Sequence, residues 1–345
     1  MPTDAATNTK PGQADQVSSL RVLVDMFIDK NTQLEDENKK LKADIADLRG
    51  KDKQSMSSDL MEDESKFKFY SGLPSIACFL FLLQALTITG FKKFRKMTIE
   101  DTALVLLMKL KLGLKNRDIA YRFGIHCTYV STILTTRLPI LADAAKTFIV
   151  WPTRDAIMAN MPNCFRTSSK DIRRTRVIVD CFEVFTERPK SLVPRAQLWS
   201  NYKSHNTIKF LIGIAPTGAI TFLSDAWGGR ASDKVISLES NLLDLLDPFD
   251  VIMADRGFLI KDECALLNIK VVTPHFTRGR KQMTQQQVQE SRRLARVRIH
   301  VERVIGRLRR QFCILSGVLP LNLIPQADNI AIACAGLLNL HKPVV

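Results

Sequence analysis

The sequence predicts an α/β domain built on a mixed sheet with flanking helices, preceded by an all-α domain and an N-terminal coiled coil. Three observations lead there. A seven-residue apolar repeat occupies 17–50, helical patterns with helix-turn-helix spacing occupy 66–150, and short β-branched runs alternate with amphipathic stretches over 173–345. With 345 residues and 46% hydrophobic content, the chain can bury at least one sizeable core. Its net charge of +15 favours an anionic partner, nucleic acid or a membrane surface. That charge is uneven, because residues 1–65 carry more acidic than basic side chains and the remainder is correspondingly more basic. The seven cysteines show no CxxC pair and no zinc-finger spacing, so a reducing intracellular setting with space-filling thiols is expected.

Residues 1–16 are small, polar and Pro/Gly-containing, and are expected to be disordered. From there Leu20, Phe27, Leu34, Leu41 and Leu48 recur every seven residues, with Val24, Asn31, Asn38 and Ile45 in the second core position. Leu at d with Asn at a favours a parallel two-stranded coiled coil, since a buried Asn is satisfied by its mate; a homodimer through 17–50 is expected. The competing reading is one amphipathic helix packed on its own domain. Residues 51–65 read as a charged, serine-bearing linker.

In 66–150 the stretch 75–91 is apolar and followed by the basic FKKFRK, but it is short for a span and contains Gln84, Thr87 and Thr89. A buried helix with Pro74 near its first turn fits better, and no membrane contact is expected. MTIEDTALVLLMKLKLGL starts a helix capped by Thr98 with Asp101 three residues on. In NRDIAYRFGIHCTYVSTILT, Ala120, Gly124 and Val130 fall where a helix-turn-helix needs a small contact residue, a turn glycine and an apolar anchor. Its second helix would present His126, Thr128, Tyr129, Thr132 and Arg137 to the major groove of double-stranded DNA. A plain helical hairpin has the same spacing. Residues 151–172 read as a connection.

In 173–345 the strands are RVIVDCFEVF, TIKFLIGIAP and AITFLSDAW around the Thr217-Gly218 turn, then DVIMADRGF and KVVTP. SDKVISLESNLLDLL and KDECALLNI are helices between them, giving a meander followed by alternating helix and strand. Asp180 ends VIV and Asp255 ends VIMA, each placed at the C-terminal mouth of a buried strand, where ligands to open α/β sheets collect. An Asp after a strand is more often a turn former. A long helix follows to Phe312, with an apolar stripe of Leu294, Val297, Val301, Ile305 or Val304, Leu308 and Phe312. Arg292, Arg296, His300, Arg303, Arg307 and Arg310 form a basic stripe. Glu302 lies between the stripes, on a face with Arg298, Gly306 and Arg309. It is either an ordinary i,i+4 partner of Arg298 or a third carboxylate aimed at the sheet mouth while Arg296, Arg303, Arg307 and Arg310 hold phosphates. Three converging carboxylates call for a cation, and hard oxygen donors favour Mg²⁺ or Mn²⁺. Two such ions about 3.5–4 Å apart serve in-line attack on a phosphodiester.

IVDCFEVFTERPK, WSNYKSHNTIKFLIGIAPTGAITFLSDAWGGRASDK, ADRGF and VRIHVERVIGRLRRQF together resemble the DDE superfamily endonuclease of PIF/Harbinger-type transposases, in the branch often linked to THAP domains. The likeness covers roughly 66–340. It implies an RNase H-like fold with Asp180, Asp255 and Glu302 as the catalytic, metal-binding triad. It implies Asp233 as a supporting residue, divalent-metal-dependent cutting and joining of DNA, and location in the nucleus. No THAP-type Cys/His set is present, so target binding is expected to fall to the helix-turn-helix. A transposase-derived DNA-binding or partner-binding protein that no longer cuts is the alternative.

Overall fold

The computed structural model describes residues 26–44, 55–274 and 284–343, and the chain divides into two compact units, Met1–Ser55 and Met56–Val345. In the first unit a helix, α1, covers 26–44. Phe27, Leu34 and Leu41 of the heptad seam stand exposed along it among the described residues. The other heptad positions, Leu20, Val24, Ile45 and Leu48, lie outside the described residues, as do 1–16.

The second unit begins inside the stretch expected to be a linker. Residues 56–65 are instead helical: α2 (Met56–Met61) buries Ser57 and Leu60, and α3 (Glu64–Ser71) starts on Asp63, whose carboxylate accepts from the amides of Ser65 and Lys66. The charged residues face water while Leu60 anchors the turn, a pattern too short to read as a helix. The apolar 75–91 stretch becomes α4 (Ile76–Ile88), capped by Ser75, with Phe79, Leu82 and Leu86 fully buried. Its 13 residues reach roughly 20 Å, short of a ~30 Å bilayer core. Helix α5 (Ile99–Leu112) is capped by the Thr98 hydroxyl accepting from Asp101 N–H. The Asp101 carboxylate, expected to reach back to its own cap, instead accepts the Ser57 amide at 2.8 Å and so ties α2 to α5.

Helix α6 (Asn116–Phe123) and α7 (Cys127–Lys146) follow, then three short helices, α8 (Arg154–Ala159), α9 (Asn163–Arg166) and α10 (Lys170–Arg173). The expected loose connection is therefore pinned: Ile157, Phe165 and Ile172 each bury one apolar side chain in the core.

The sheet is built from β1 (Thr175–Thr186), β2 (Trp199–Ser200, after helix α11, Leu192–Leu198), β3 (His205–Ile214), β4 (Ile220–Leu223) and β5 (Trp227–Gly228). After α12 (Asp233–Glu239) come β6 (Val251–Met253), α13 (Lys261–Leu266) and β7 (Lys270–Val272). The helix expected over 232–246 stops at Glu239 because Asn241 turns left-handed, φ 58°, a conformation asparagine tolerates. Strand order is β2-β3-β1-β6-β7; β3 pairs antiparallel with β1, β4 and β5, whereas β6 and β7 run parallel to β1. Helix α14 (Gln285–Gln311) crosses one face, a short β8 (Val318–Leu319) pairs in parallel with the end of β1, and α15 (Ala327–Asn339) follows.

The all-α region and the sheet are not separate bodies. One apolar core joins Leu106 of α5, Leu138 of α7, Ile178 of β1, Leu308 of α14 and Leu337 of α15. Helix α15 packs directly on α7, so closely that a Cβ at Gly336 would stand 2.1 Å from Ala145 O.

Candidate active site and DNA interface

Register places the first two carboxylates. Ile178 of β1 lies opposite Met253, the last residue of the parallel strand β6. Asp180 and Asp255 each stand two residues further in the same direction, so they meet beyond the end of β6. Asp180, however, does not end its strand. β1 continues to Thr186, paired with β3 throughout, and Asp180 sits mid-strand opposite Ile212. What ends near it is β6, which explains why a site opens there: the neighbouring strand stops and leaves β1 uncovered on that side.

The third carboxylate comes from α14. Its apolar stripe is buried as the pattern required, with Leu294, Val297, Val301, Val304, Ile305, Leu308 and Phe312 all inside. Burying that stripe on the β1 face turns Glu302 to the open edge. Asp180, Asp233, Asp255 and Glu302 all line one cleft of about 720 Å³, together with Cys181, Glu183, Tyr202, Lys203, Lys209, Arg298 and Arg309.

Both readings of Glu302 coexist here. Arg298 Nη2 donates to Glu302 Oε1 at 2.6 Å, and Arg298 Nη1 lies 3.4 Å from Asp255 Oδ1. One guanidinium thus bridges two of the three candidate carboxylates and supplies the positive charge between them. Among the described residues no three His, Cys, Asp or Glu side chains are drawn close enough to hold a metal ion. The donor set nevertheless suits a hard cation. Asp180 is the carboxylate left without a salt bridge: burial first, with Asp255 and Glu302 adding to it, lifts its carboxyl to about 6. The Cys181 amide, at 2.9 Å, and Arg298 only partly oppose that rise. A buried acid in that condition is one that a bound cation would relieve.

Asp233, at the start of α12, accepts from Lys209 Nζ at 3.3 Å, and Lys209 lies 3.9 Å from Glu183, its register partner across β1 and β3. Lys209, Glu183, Lys203 and Tyr202 escaped sequence reasoning. A signal existed for Lys209, a single charge inside the otherwise apolar run TIKFLIGIA. Burial pushes the Cys181 thiol far up, with Asp233 reinforcing it, so it lines the cleft as an inert neutral group.

The basic stripe is corrected in two respects. His300 is buried, stacked on Phe165 with a ring nitrogen 3.6 Å from Cys164 Sγ, and burial followed by Arg303 pushes its pKa down. It is a core histidine. Arg296, Arg303, Arg307 and Arg310 do not line the cleft, since they sit roughly 80–140° round the helix from Glu302; Arg307 donates instead to the Lys342 carbonyl. The arginines that do reach it are Arg298 and Arg309, the latter donating to Glu183 O at 2.7 Å.

In the helical region Gly124 takes φ 60° and ends α6, while the Ile125 amide returns to Ala120 O at 3.0 Å. Ile119, Ala120, Val130 and Ile133 are buried at the joint. His126 caps α7, its ring accepting from the Thr128 amide, and His126, Thr128 and Thr132 are exposed. Tyr129 and Arg137 are less free than expected. Tyr129 receives a hydrogen bond from Arg95 Nη1 at 2.7 Å and carries that guanidinium over its ring at 4.2 Å, while Arg137 donates to Lys92 O. The basic loop 91–96 is thereby fastened beside α7.

A curled mixed sheet covered by helices, preceded by a helix-turn-helix and presenting carboxylates where a central strand outruns its neighbour, is an RNase H-like α/β arrangement. Residues 179–339 match the family described as DDE superfamily endonuclease, and residues 95–147 match the helix-turn-helix of DDE superfamily endonuclease. Together these two matches support a transposase-like nuclease. Among curated proteins nothing matches it.

Proposed function

We propose that this protein is a DDE transposase or endonuclease of the PIF/Harbinger type, cutting and joining DNA phosphodiesters. The observation that carries the reading is the convergence of Asp180, Asp255 and Glu302, from a strand, the loop after a strand and a helix, on one cleft that Lys203, Lys209, Arg298 and Arg309 also line. These three would hold divalent cations, Mg²⁺ or Mn²⁺, and Asp233 would support them through Lys209. Cations held by Asp180, Asp255 and Glu302 would supply activation of a water or 3′-hydroxyl and charge stabilisation at the leaving oxygen. The chain's own groups do the rest: Lys203, Arg298 and Arg309 face the phosphates, and Arg298 must release Asp255 and Glu302 as cations take its place. Duplex recognition falls to α7 through His126, Thr128 and Thr132, with the basic loop 91–96 along the backbone. The exposed heptad seam of α1 would pair with a second copy, and a chromosomal substrate puts the protein in the nucleus.

The test is Mg²⁺- or Mn²⁺-dependent nicking of random and terminal-repeat DNA by wild type, Asp180→Asn, Asp255→Asn and Glu302→Gln. Wild type should cut, and each variant should lose cutting while still retaining DNA. The losses should not add, because the three act as one unit. Retention without cleavage by wild type would favour a DNA-binding protein of transposase descent, and full activity in Glu302→Gln would leave that residue an ordinary partner of Arg298.

A further inference from the structure

A second recess lies beside the carboxylate cleft. It encloses about 790 Å³ between α11 and the start of β3, and its walls include Arg188, Arg195, Arg230, Trp199 and His205, with no Asp or Glu among them. None of the three arginines lies within salt-bridge distance of a carboxylate among the described residues. Arg195 is held by the carbonyls of Pro189 and Lys190, both at 3.1 Å, which fixes the guanidinium and leaves its charge uncompensated. Trp199 is 42% exposed, a large ring beside concentrated positive charge.

The recess is preformed. The Asn206 side-chain amide donates to Arg195 O at 3.0 Å, and the Arg230 amide donates to Gln197 O at 3.2 Å, so α11 is tied to β3 and to the loop carrying Arg230. That loop approaches so tightly that only glycine fits: a Cβ at Gly229 would lie 2.1 Å from Thr207 Oγ1. Recess and cleft share one wall, the turn at 201–204. Asn201 and Ser204 line the recess, whereas Tyr202 and Lys203 line the cleft. Tyr202 is 83% exposed with the Lys203 ammonium 4.4 Å from its ring centre, so rings and cations continue from one compartment into the other.

We propose that this recess binds unpaired nucleotides of the DNA strand whose phosphodiester lies in the cleft. The inference rests on the nuclease reading for the occupant of the cleft. A duplex keeps its bases stacked inside and could offer a concave pocket only phosphates. A strand out of the stack offers both a phosphate for the arginines and a π-face for Trp199, and stacking on rings in a basic groove is how single strands are held without sequence preference. The shared wall then makes the two compartments successive stations along one strand, with Lys203 between them.

The experiment uses the full chain in EDTA, so that nothing is cut, with fluorescence anisotropy on a labelled blunt duplex and on the same duplex bearing a 3′ or a 5′ single-stranded tail. Wild type should bind one tailed duplex at least tenfold tighter than the blunt one. Trp199→Ala, and separately Arg188→Ala with Arg230→Ala, should reduce that ratio to within about twofold of unity. The arginine pair is exposed, so its substitution keeps the test open if Trp199→Ala does not fold. Equal wild-type affinity for tailed and blunt DNA, or variants that weaken both in the same proportion, would overturn the proposal. Tail preference without any metal-dependent nicking would leave the recess standing and remove the nuclease reading; nicking without tail preference would do the reverse.

Discussion

Asp180 gives the most direct measurement of how the site is built, because replacing it should make the protein more stable as it becomes inactive. Burial raises its carboxyl from 3.8 to about 6. Between those two values the folded chain binds more protons at this position than the unfolded chain, so stability falls as pH rises; the contribution is fully present below about 3.8 and gone above about 6. Two pKa units correspond to an upper value of about 3 kcal/mol, at ~1.36 kcal/mol per unit. Asparagine keeps the shape and can still accept the Cys181 amide through its oxygen, but it carries no charge to desolvate. The expected result is therefore a pH-dependent difference. In urea unfolding followed by circular dichroism in EDTA, Asp180→Asn and wild type should coincide near pH 4. The variant should then become more stable through pH 5–7, reaching a gain of about 1–3 kcal/mol at pH 7.5. Groups elsewhere titrate in both proteins and cancel in the difference. A difference that stays flat between pH 4 and 8, or a variant less stable than wild type at pH 7.5, would refute the argument that Asp180 is an uncompensated buried acid.

Two glycine-to-alanine substitutions should act in opposite directions. Gly336→Ala puts a methyl 2.1 Å from Ala145 O at the α7–α15 contact, and should cost about 1–3 kcal/mol or more by calorimetry; in Gly306→Ala the methyl meets only Arg310 Nη1 at 3.8 Å, and better helix propensity should add up to ~1 kcal/mol. Thr128→Glu with Thr132→Glu, both exposed on α7, should weaken duplex binding tenfold or more without moving the melting temperature. Wild-type affinity should itself fall steeply with salt as phosphate counterions are released; salt-insensitive binding would remove α7 from the interface. Light scattering on the full chain should report two copies, and Asn31→Leu with Asn38→Leu should loosen the preference for two strands rather than abolish association. A wild-type monomer at micromolar concentration would sink the coiled-coil dimer.

Much of this protein was legible locally. The buried stripe of α14, the Thr98 cap, the left-handed Gly124 and the apolar strand runs before Asp180 and Asp255 all follow from period and residue chemistry, because short-range sterics and burial on one face leave few alternatives. The motif resemblance singled out Asp180, Asp233, Asp255 and Glu302, and all four line the same cleft. Sequence could not supply distance between segments. That β1 runs on past Asp180 depends on β3 pairing with it from Ile178 to Phe185. That Arg298 and Arg309 rather than Arg303 or Arg307 reach the cleft follows from the helix face they share with Glu302, which the helical period already set; that this face opens on the end of β6 depends on where α14 seats its stripe. The fusion of the helix-turn-helix with the sheet was equally hidden, since Gly336 and Ala145 lie far apart along the chain and nothing local marks them as touching. Local patterns declare which faces must be buried; only the folded chain decides what each face is buried against, and that choice brings five acids, two arginines and two lysines to the edge of one sheet.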